Sequence, residues 1–406
     1  MTAIHQKTER LNSLDSLRAI MMMLGIVLHT ANTYSGGEPG PGWPLKDPES
    51  GNELLKWLGY TIHNFRMPIF MLVAGFFAAL LFYERSPNKM IINRVKRIVF
   101  PFILFVVLLW PLVMLGFSYS QQIFGLTHNY TFSSFFENPF NLIPQRTMHL
   151  WFLYYLIMFS VASFGLGKLF QNLPSVSNII KMVFEKIIRK PLLKLVFFSL
   201  ITFLILLAMD SYWVATSLSF VPDGGTFSFY FFFYLTGWIL FKSKHLLSSF
   251  MEYDRLFAFL GLGIFTLYFL SDRTEFSNAL TAGIRSVTCW LFIFGFTGLF
   301  LRYFSKHSAV GRYISDSAYW VYLLHLPLTA FLPGLLAGWA IPALLKFAIV
   351  ASATTFICFF TYHFFVRSTF IGVFLNGRKY SRKFGDIKPL EKPVTPNMTL
   401  VTDSEG

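Results

Sequence analysis

The chain has 406 residues, of which 54% are apolar and only 13% charged, with a net charge of +14. No soluble globular domain has this balance, so the composition specifies a polytopic membrane protein and excludes a water-soluble enzyme fold. The basic excess does not mark a nucleic-acid binder, because the lysines and arginines gather in short segments between apolar spans.

Ten apolar segments are long enough to cross a bilayer, at roughly 13–34, 57–83, 97–117, 148–168, 192–210, 226–242, 255–271, 279–303, 314–336 and 341–366. The expected fold is all-α: a transmembrane domain over 13–366, a short N-terminal tail over 1–12 and a C-terminal tail over 367–406. The first span carries Arg18 and His29. Eleven steps at ~100° per residue return His29 to within roughly 20° of Arg18, about 16 Å further along the same face. Ionisable groups inside a membrane helix are costly and mark function by default. Asp15 stands three residues before Arg18. That spacing allows a simple ion pair that lowers the cost of Arg18, and it leaves open whether Arg18 also meets a ligand. The span lacks a small-residue cleavage site and runs into Tyr34-Ser35-Gly36-Gly37, so it is expected to be retained rather than removed as a signal peptide.

Segment 35–52 is rich in Gly, Pro and acid and reads as an outer loop. The second span opens with Thr61-Ile62-His63-Asn64-Phe65-Arg66-Met67-Pro68. Pro68, Pro101, Pro111 and Pro327 fall inside spans, where neighbouring helices accommodate kinks. Arg94-Val95-Lys96-Arg97 enters the third span. Arg94 and Arg97, three apart, are expected on one face, either gripping a phosphate or anchoring the helix to headgroups. Segment 118–147 is a long polar-aromatic outer loop, and His149 opens the fourth span in Met148-His149-Leu150-Trp151-Phe152. Segment 211–225 ends in Pro222-Asp223-Gly224-Gly225. Cys289 and Cys358 lie in apolar spans and read as small packing residues, with no metal site. His325 lies in the ninth span, before Leu326-Pro327. The tail from 367 starts basic and then carries Pro389, Pro393 and Pro396, which reads as disordered and without a catalytic domain.

Placing the N-terminus in the cytoplasm puts 27 of the 34 Lys and Arg on the cytoplasmic side. The exceptions are Lys46, Lys56, Arg66, Arg146, Arg273, Arg285 and Lys346. This N-in, C-in topology puts Arg18, Arg94 and Arg97 inside, and His29, His63, His149 and His325 in the outer half. A neutral imidazole can take a proton from a hydroxyl and return it to a leaving group, and an adjacent arginine can hold an oxyanion or a carboxylate. Any one of these histidines could instead be an interfacial residue bonded to a neighbouring helix. Four converging on one layer favour a site. There is no P-loop, no Gly-x-Ser-x-Gly elbow, no His-Glu-x-x-His and no Cys-x-x-Cys, so ATP hydrolysis and zinc chemistry have no support. An activated acyl donor bound inside and an acceptor met outside fit the pattern. A transporter of acyl or sugar units is the rival, although no repeated halves are visible.

The Arg18…His29 spacing resembles the Arg-x10-His signature of membrane acyltransferase family 3, and Arg94-x-x-Arg97 resembles that family's Arg-x-x-Arg motif. Further matching strings are Leu14-Asp15-Ser16-Leu17-Arg18-Ala19, His63-Asn64-Phe65-Arg66-Met67, Ala74-Gly75-Phe76-Phe77, His149-Leu150-Trp151-Phe152-Leu153 and Gly225-Thr226-Phe227-Ser228-Phe229. Within the family the chain is most similar to the branch that succinylates osmoregulated periplasmic glucans. The resemblance implies a ten-helix acyltransferase of the bacterial inner membrane, with His29 as catalytic histidine and Arg18, Arg94 and Arg97 as donor-side residues. The implied donor is succinyl-CoA, with acetyl-CoA and another envelope glycan as the alternative pair. No metal is implied. The expected partners are the periplasmic glucan, acyl-CoA and membrane lipids, with a homodimer left open. The full expected site adds His63, Arg66, His149 and His325 to the reactive layer and Asp15 to the donor side. In it, Arg66 takes the succinyl carboxylate, and His63 or His149 orients His29 or the acceptor.

Overall fold

The computed structural model describes residues 11–126, 137, 139–212, 214, 216–271 and 276–387. Among these, nine helical stretches are long and apolar enough to cross a membrane. They are α1 (Asn12–Tyr34), α2 (Glu53–Leu80), the run of α3 (Pro87–Arg94) into α4 (Phe100–Ile123), α5 (Trp151–Asn172), α7 (Pro191–Ala208), α8 (Gly224–Lys242), α10 (Asn278–Tyr303), α11 (Ala309–Leu335) and α12 (Ala343–Thr361). A tenth comes from the pair Lys244–Met251 and α9 (Asp254–Leu270), bent by 64°. All ten expected segments are therefore helical, and the chain is an all-α integral membrane protein.

The differences lie at helix ends and have local causes. α2 starts four residues before the expected apolar run, because the Asn52 side chain accepts from the backbone N–H of Leu54 and Leu55 and caps the first turn. α8 starts at Gly224 because the Asp223 carboxylate accepts from Thr226 N at 2.6 Å. Those same hydrogen bonds hold the Asp223 carboxyl below its ordinary range. The basic segment between α5 and α7 contains an amphipathic helix, α6 (Pro174–Ile188), rather than a plain loop. It leaves Ile179 and Met182 exposed, as an interfacial helix does. Residues 367–387, expected within a disordered tail, follow a packed course that includes α13 (Phe370–Asn376). Arg367 donates to Ser381 O at 2.7 Å, and Tyr380 N donates to Arg367 O at 2.9 Å. The remainder of that tail, from 388, lies outside the described residues.

The outward faces are apolar: Ile103, Val107, Leu108 and Leu112 of α4 are about half exposed, which lipid tolerates and water would not. The interior is held by close helix crossings. α2 packs most extensively on α8. A Cβ on Gly75 would stand 1.9 Å from Tyr234 O, and one on Gly237 would stand 1.8 Å from Leu72 O. Each helix thus presses its glycine against the other's backbone, an approach no larger residue permits. This crossing fixes α2, and with it His63 and Arg66, against the centre of the bundle. Gly75→Ala should therefore lower stability by about 1–3 kcal/mol through overpacking. Gly165→Ala on α5, where a Cβ meets nothing within 4 Å, should be neutral or slightly stabilising. Thermal unfolding of the two variants in the same detergent checks the contrast, and equal melting would refute the crossing as a constraint.

Candidate functional site

Four helical elements bring five polar residues to one cavity of about 470 Å³ near the end of the bundle opposite the termini. His29 of α1, His63 and Arg66 of α2, His149 just before α5 and His325 of α11 all line it. The five residues expected in the reactive layer are thus together. His29 and His325 have ring centroids 5.4 Å apart, as do His149 and His325. His325 sits between the other two.

Carbonyl partners set the imidazole orientations. A carbonyl only accepts, so His325 Nδ1–H donates to Tyr322 O, at 2.6 Å, and Nε2 is left as the basic nitrogen. His149 Nε2–H donates to Leu323 O at 3.1 Å, and His63 Nε2–H to Val214 O at 3.3 Å. Tyr322 returns the tie by donating its hydroxyl to His149 O at 2.6 Å. Met148 holds φ at +51°, a strained conformation that turns the chain into the site immediately before His149. Among the described residues, His29 Nδ1, His149 Nδ1, His325 Nε2 and Arg66 Nε are buried with no hydrogen-bond partner. Such groups are costly in a bundle interior and are the ones a bound ligand satisfies. No Asp or Glu among the described residues lines the cavity, so Arg66 meets no carboxylate there.

Space for Arg66 and His325 comes from Gly25, one turn before His29. A Cβ there would stand 2.8 Å from an Arg66 terminal nitrogen and 2.9 Å from His325 Nε2. The signal was present in the sequence, since Gly25 lies on the Arg18–His29 stripe, but the two partners come from distant segments. Trp43 carried no such signal. Its ring stacks on His29, with centroids 4.7 Å apart and planes at 22°, and its Nε1–H donates to Thr33 Oγ1 at 3.0 Å. The Gly- and Pro-rich segment 35–52 places it there as a roof. Asp47 ties that roof to α12 through a buried 2.8 Å ion pair with Lys346, and Gln121 donates to Pro44 O at 2.8 Å. Lys46 donates to Ser35 Oγ at 2.8 Å. Burial, with Lys56 nearby, lowers the Lys46 ammonium from its ordinary value.

The residues expected on the donor side lie apart from this cavity, at the terminal end. Arg18 pairs with Asp15 at 3.2 Å and lies 5.3 Å from the Phe77 ring centre. Arg94 is within electrostatic reach of Arg18 and Tyr234, and its Nε and one terminal nitrogen are buried without a partner. Arg97 does not share this environment. Val95–Val99 is a π turn, which changes the angle between positions 94 and 97 from that of an α-helix. Arg97 instead donates to Val373 O and Phe374 O at 3.0 and 3.1 Å, capping the last turn of α13. None of Asp15, Arg18, Arg94 and Arg97 lines the cavity, but Met21 and Met22, one turn beyond Arg18, do.

A membrane-spanning helical bundle around a cavity lined by four histidines with Arg66 and Arg146 has the groups that acid–base chemistry on a transferred group requires. Residues 11–363 match the acyltransferase domain of family 3, and the chain belongs to that family. Among curated proteins it is similar to glucans biosynthesis protein C of Escherichia coli K12, 25% identical over 336 residues that span 78% of this chain and 82% of the relative. The Salmonella paratyphi B protein of the same name is 27% identical over the same shares. No solved structure matches. The resemblance read from the motifs is borne out at the level of the family and of these relatives.

Gly25→Ala should push the Arg66 guanidinium and the His325 ring out of register while the bundle still assembles. Acyl transfer should fall by at least about tenfold, with a thermal midpoint near that of the wild type. Undiminished activity in purified Gly25→Ala protein would refute the packing of that notch as a requirement.

Proposed function

We propose that this membrane acyltransferase moves a succinyl group from succinyl-CoA, bound at the terminal end, onto hydroxyl groups of periplasmic glucans at the opposite end, in the bacterial inner membrane. The observation that carries the reading is Arg66, a half-buried cation with a buried, unpartnered Nε, among imidazoles in a cavity whose described lining holds no carboxylate. Such a site favours a ligand that brings its own negative charge, as a succinyl group does and an acetyl group does not. The cavity volume also suits a small acyl group meeting one sugar. The names of the relatives favour a glucan acceptor.

In the proposed reaction a glucan hydroxyl oxygen attacks the thioester carbonyl while His29 takes the hydroxyl proton. The C–O bond forms, the tetrahedral intermediate collapses and the C–S bond breaks. The proton held by His29 passes to the departing thiolate. His325, with its basic Nε2 toward Gly25 and Arg66, orients that layer, and His149 braces His325 through α11. Trp43 holds the His29 ring by stacking. Arg66 takes the succinyl carboxylate. Acetyl transfer to another envelope glycan is the second reading, and competition between acetyl-CoA and succinyl-CoA separates the two.

His29→Ala should abolish transfer while the protein remains in the membrane at wild-type amount. Mass spectrometry of the periplasmic glucans reads the result directly, and wild-type succinylation in that variant would overturn the role of His29. Glucans unchanged by deletion of the gene would overturn the acceptor.

A further inference from the structure

Two groups of cations at the terminal end lie on either side of the π turn at Val95–Val99. Arg18 and Arg94 form the inner group, inside the bundle. The outer group is on the chain after α12: Arg378, Lys379, Arg382 and Lys383, four basic residues within six positions, all exposed. No acidic residue occurs between Asp316 and Asp386. Asp386 is at the edge of the segment, where it accepts from the Ser381 hydroxyl.

This segment is held in place from two sides. On one side, Arg97 grips the carbonyls of Val373 and Phe374, and its guanidinium fills the space beside Gly377, which caps α13 at φ +82°. Any side chain at 377 would strike Arg97, and the φ itself favours glycine. The Tyr319 hydroxyl donates to Arg97 O at 3.0 Å, tying the same turn to α11. On the other side, the buried Arg367 donates to Ser381 O and lies 3.8 Å from Asp316. Asn376 donates to Asp316 O, and Arg312 to the Tyr380 hydroxyl. A basic tail that served only as a membrane anchor would not need so many fixed backbone partners.

We propose that residues 378–383 form an anion subsite for a terminal phosphate of a nucleotide thioester donor. The inner pair, Arg18 and Arg94, then meets phosphate closer to the acyl arm. Coenzyme A carries a pyrophosphate and a separate ribose 3′-phosphate, so one donor offers an anion to each group. Arg97 is a positioning residue on this assignment. Its Nη1 is engaged by α13, and it acts by fixing the segment. The assignment rests on the acyl-CoA reading above and deepens it. A lipid headgroup supplies the same phosphate chemistry from another source.

The test uses the full-length protein in nanodiscs of zwitterionic lipid, with succinyl-CoA and its 3′-dephospho analogue as donors. Removing the 3′-phosphate should raise the wild-type donor KM about tenfold with little change in kcat. The variant Arg378→Gln/Lys379→Gln/Arg382→Gln/Lys383→Gln should show the raised KM with either donor, because the contact is already lost. Arg97→Ala should copy the KM effect and also open the segment to protease, which Arg378→Gln/Lys379→Gln/Lys383→Gln should not do, because it keeps the Arg382 bond to Phe364 O. A four-site variant that discriminates the two donors as the wild type does would overturn the assignment. So would a defect that appears only when anionic lipid is added, which would mark a headgroup site. If wild-type protein turns over neither donor, the acyl-CoA reading fails by itself. Binding of adenosine 3′,5′-bisphosphate then decides the subsite, with weakening of about tenfold in the four-site variant expected and equal binding overturning it.

Discussion

A guanidinium inside a membrane bundle sets the terms for everything around it. Arg66 sits in the cavity layer without a carboxylate from the described lining, and one of its terminal nitrogens shares the notch at Gly25 with His325 Nε2. A cation in such a place is costly unless its surroundings are arranged for it. The arrangement here is geometric. The imidazole N–H groups of His149, His325 and His63 are directed to backbone carbonyls, which leaves His149 Nδ1 and His325 Nε2 as acceptors. A polar layer ordered this way keeps a fixed shape for a ligand rather than collapsing on itself.

That order depends on rigid helices, because each imidazole partner belongs to a backbone. His149 is bonded to a carbonyl of α11, and Tyr322 of α11 bonds back to the His149 carbonyl. A shift of α11 would disturb both bonds and the His325 ring together. The glycine crossing of α2 on α8 performs the same service for His63 and Arg66. Close backbone packing is how membrane helices gain specificity without a hydrophobic difference between protein and lipid. The site is therefore mainly a property of helix placement, to which loops add Trp43 on His29 and the Val214 carbonyl that His63 meets.

The sequence carried most of this at the level of helices and layers. Ten spans could be read from hydropathy, because a run of about twenty apolar residues matches the thickness of a bilayer core and exceeds what a soluble fold usually buries in one element. The reactive layer could be read because Arg18 and His29 share a stripe, and topology assigned the other histidines to the same depth. Trp43 and the Asp47–Lys346 tie were hidden, since loop residues have no periodicity to locate them. The π turn was hidden as well. Three residues apart implies a shared face only while the helix stays α, and at Val95–Val99 it does not. The packed course of 367–387 was missed for a compositional reason: its polarity and charge resemble those of disordered tails, while its order comes from Arg97 and from Arg312 and Asp316 of α11.

Separating Arg94 from Arg97 alters the picture of how a donor enters. A shared face would have made one clamp at the membrane surface. With Arg97 holding α13, the inner pair of Arg18 and Arg94 becomes the part of the cationic group that looks into the bundle. Arg18 lies about 16 Å from His29 along α1. The cavity already reaches Met21 and Met22, so the closed stretch between the inner arginines and the cavity is about one helical turn, ~5 Å. Under the proposed function, the donor arm has to part only that turn to bring its thioester to His29. The two methionine side chains at the barrier are unbranched and easily repacked, which suits a plug that must open for an arm and close behind it.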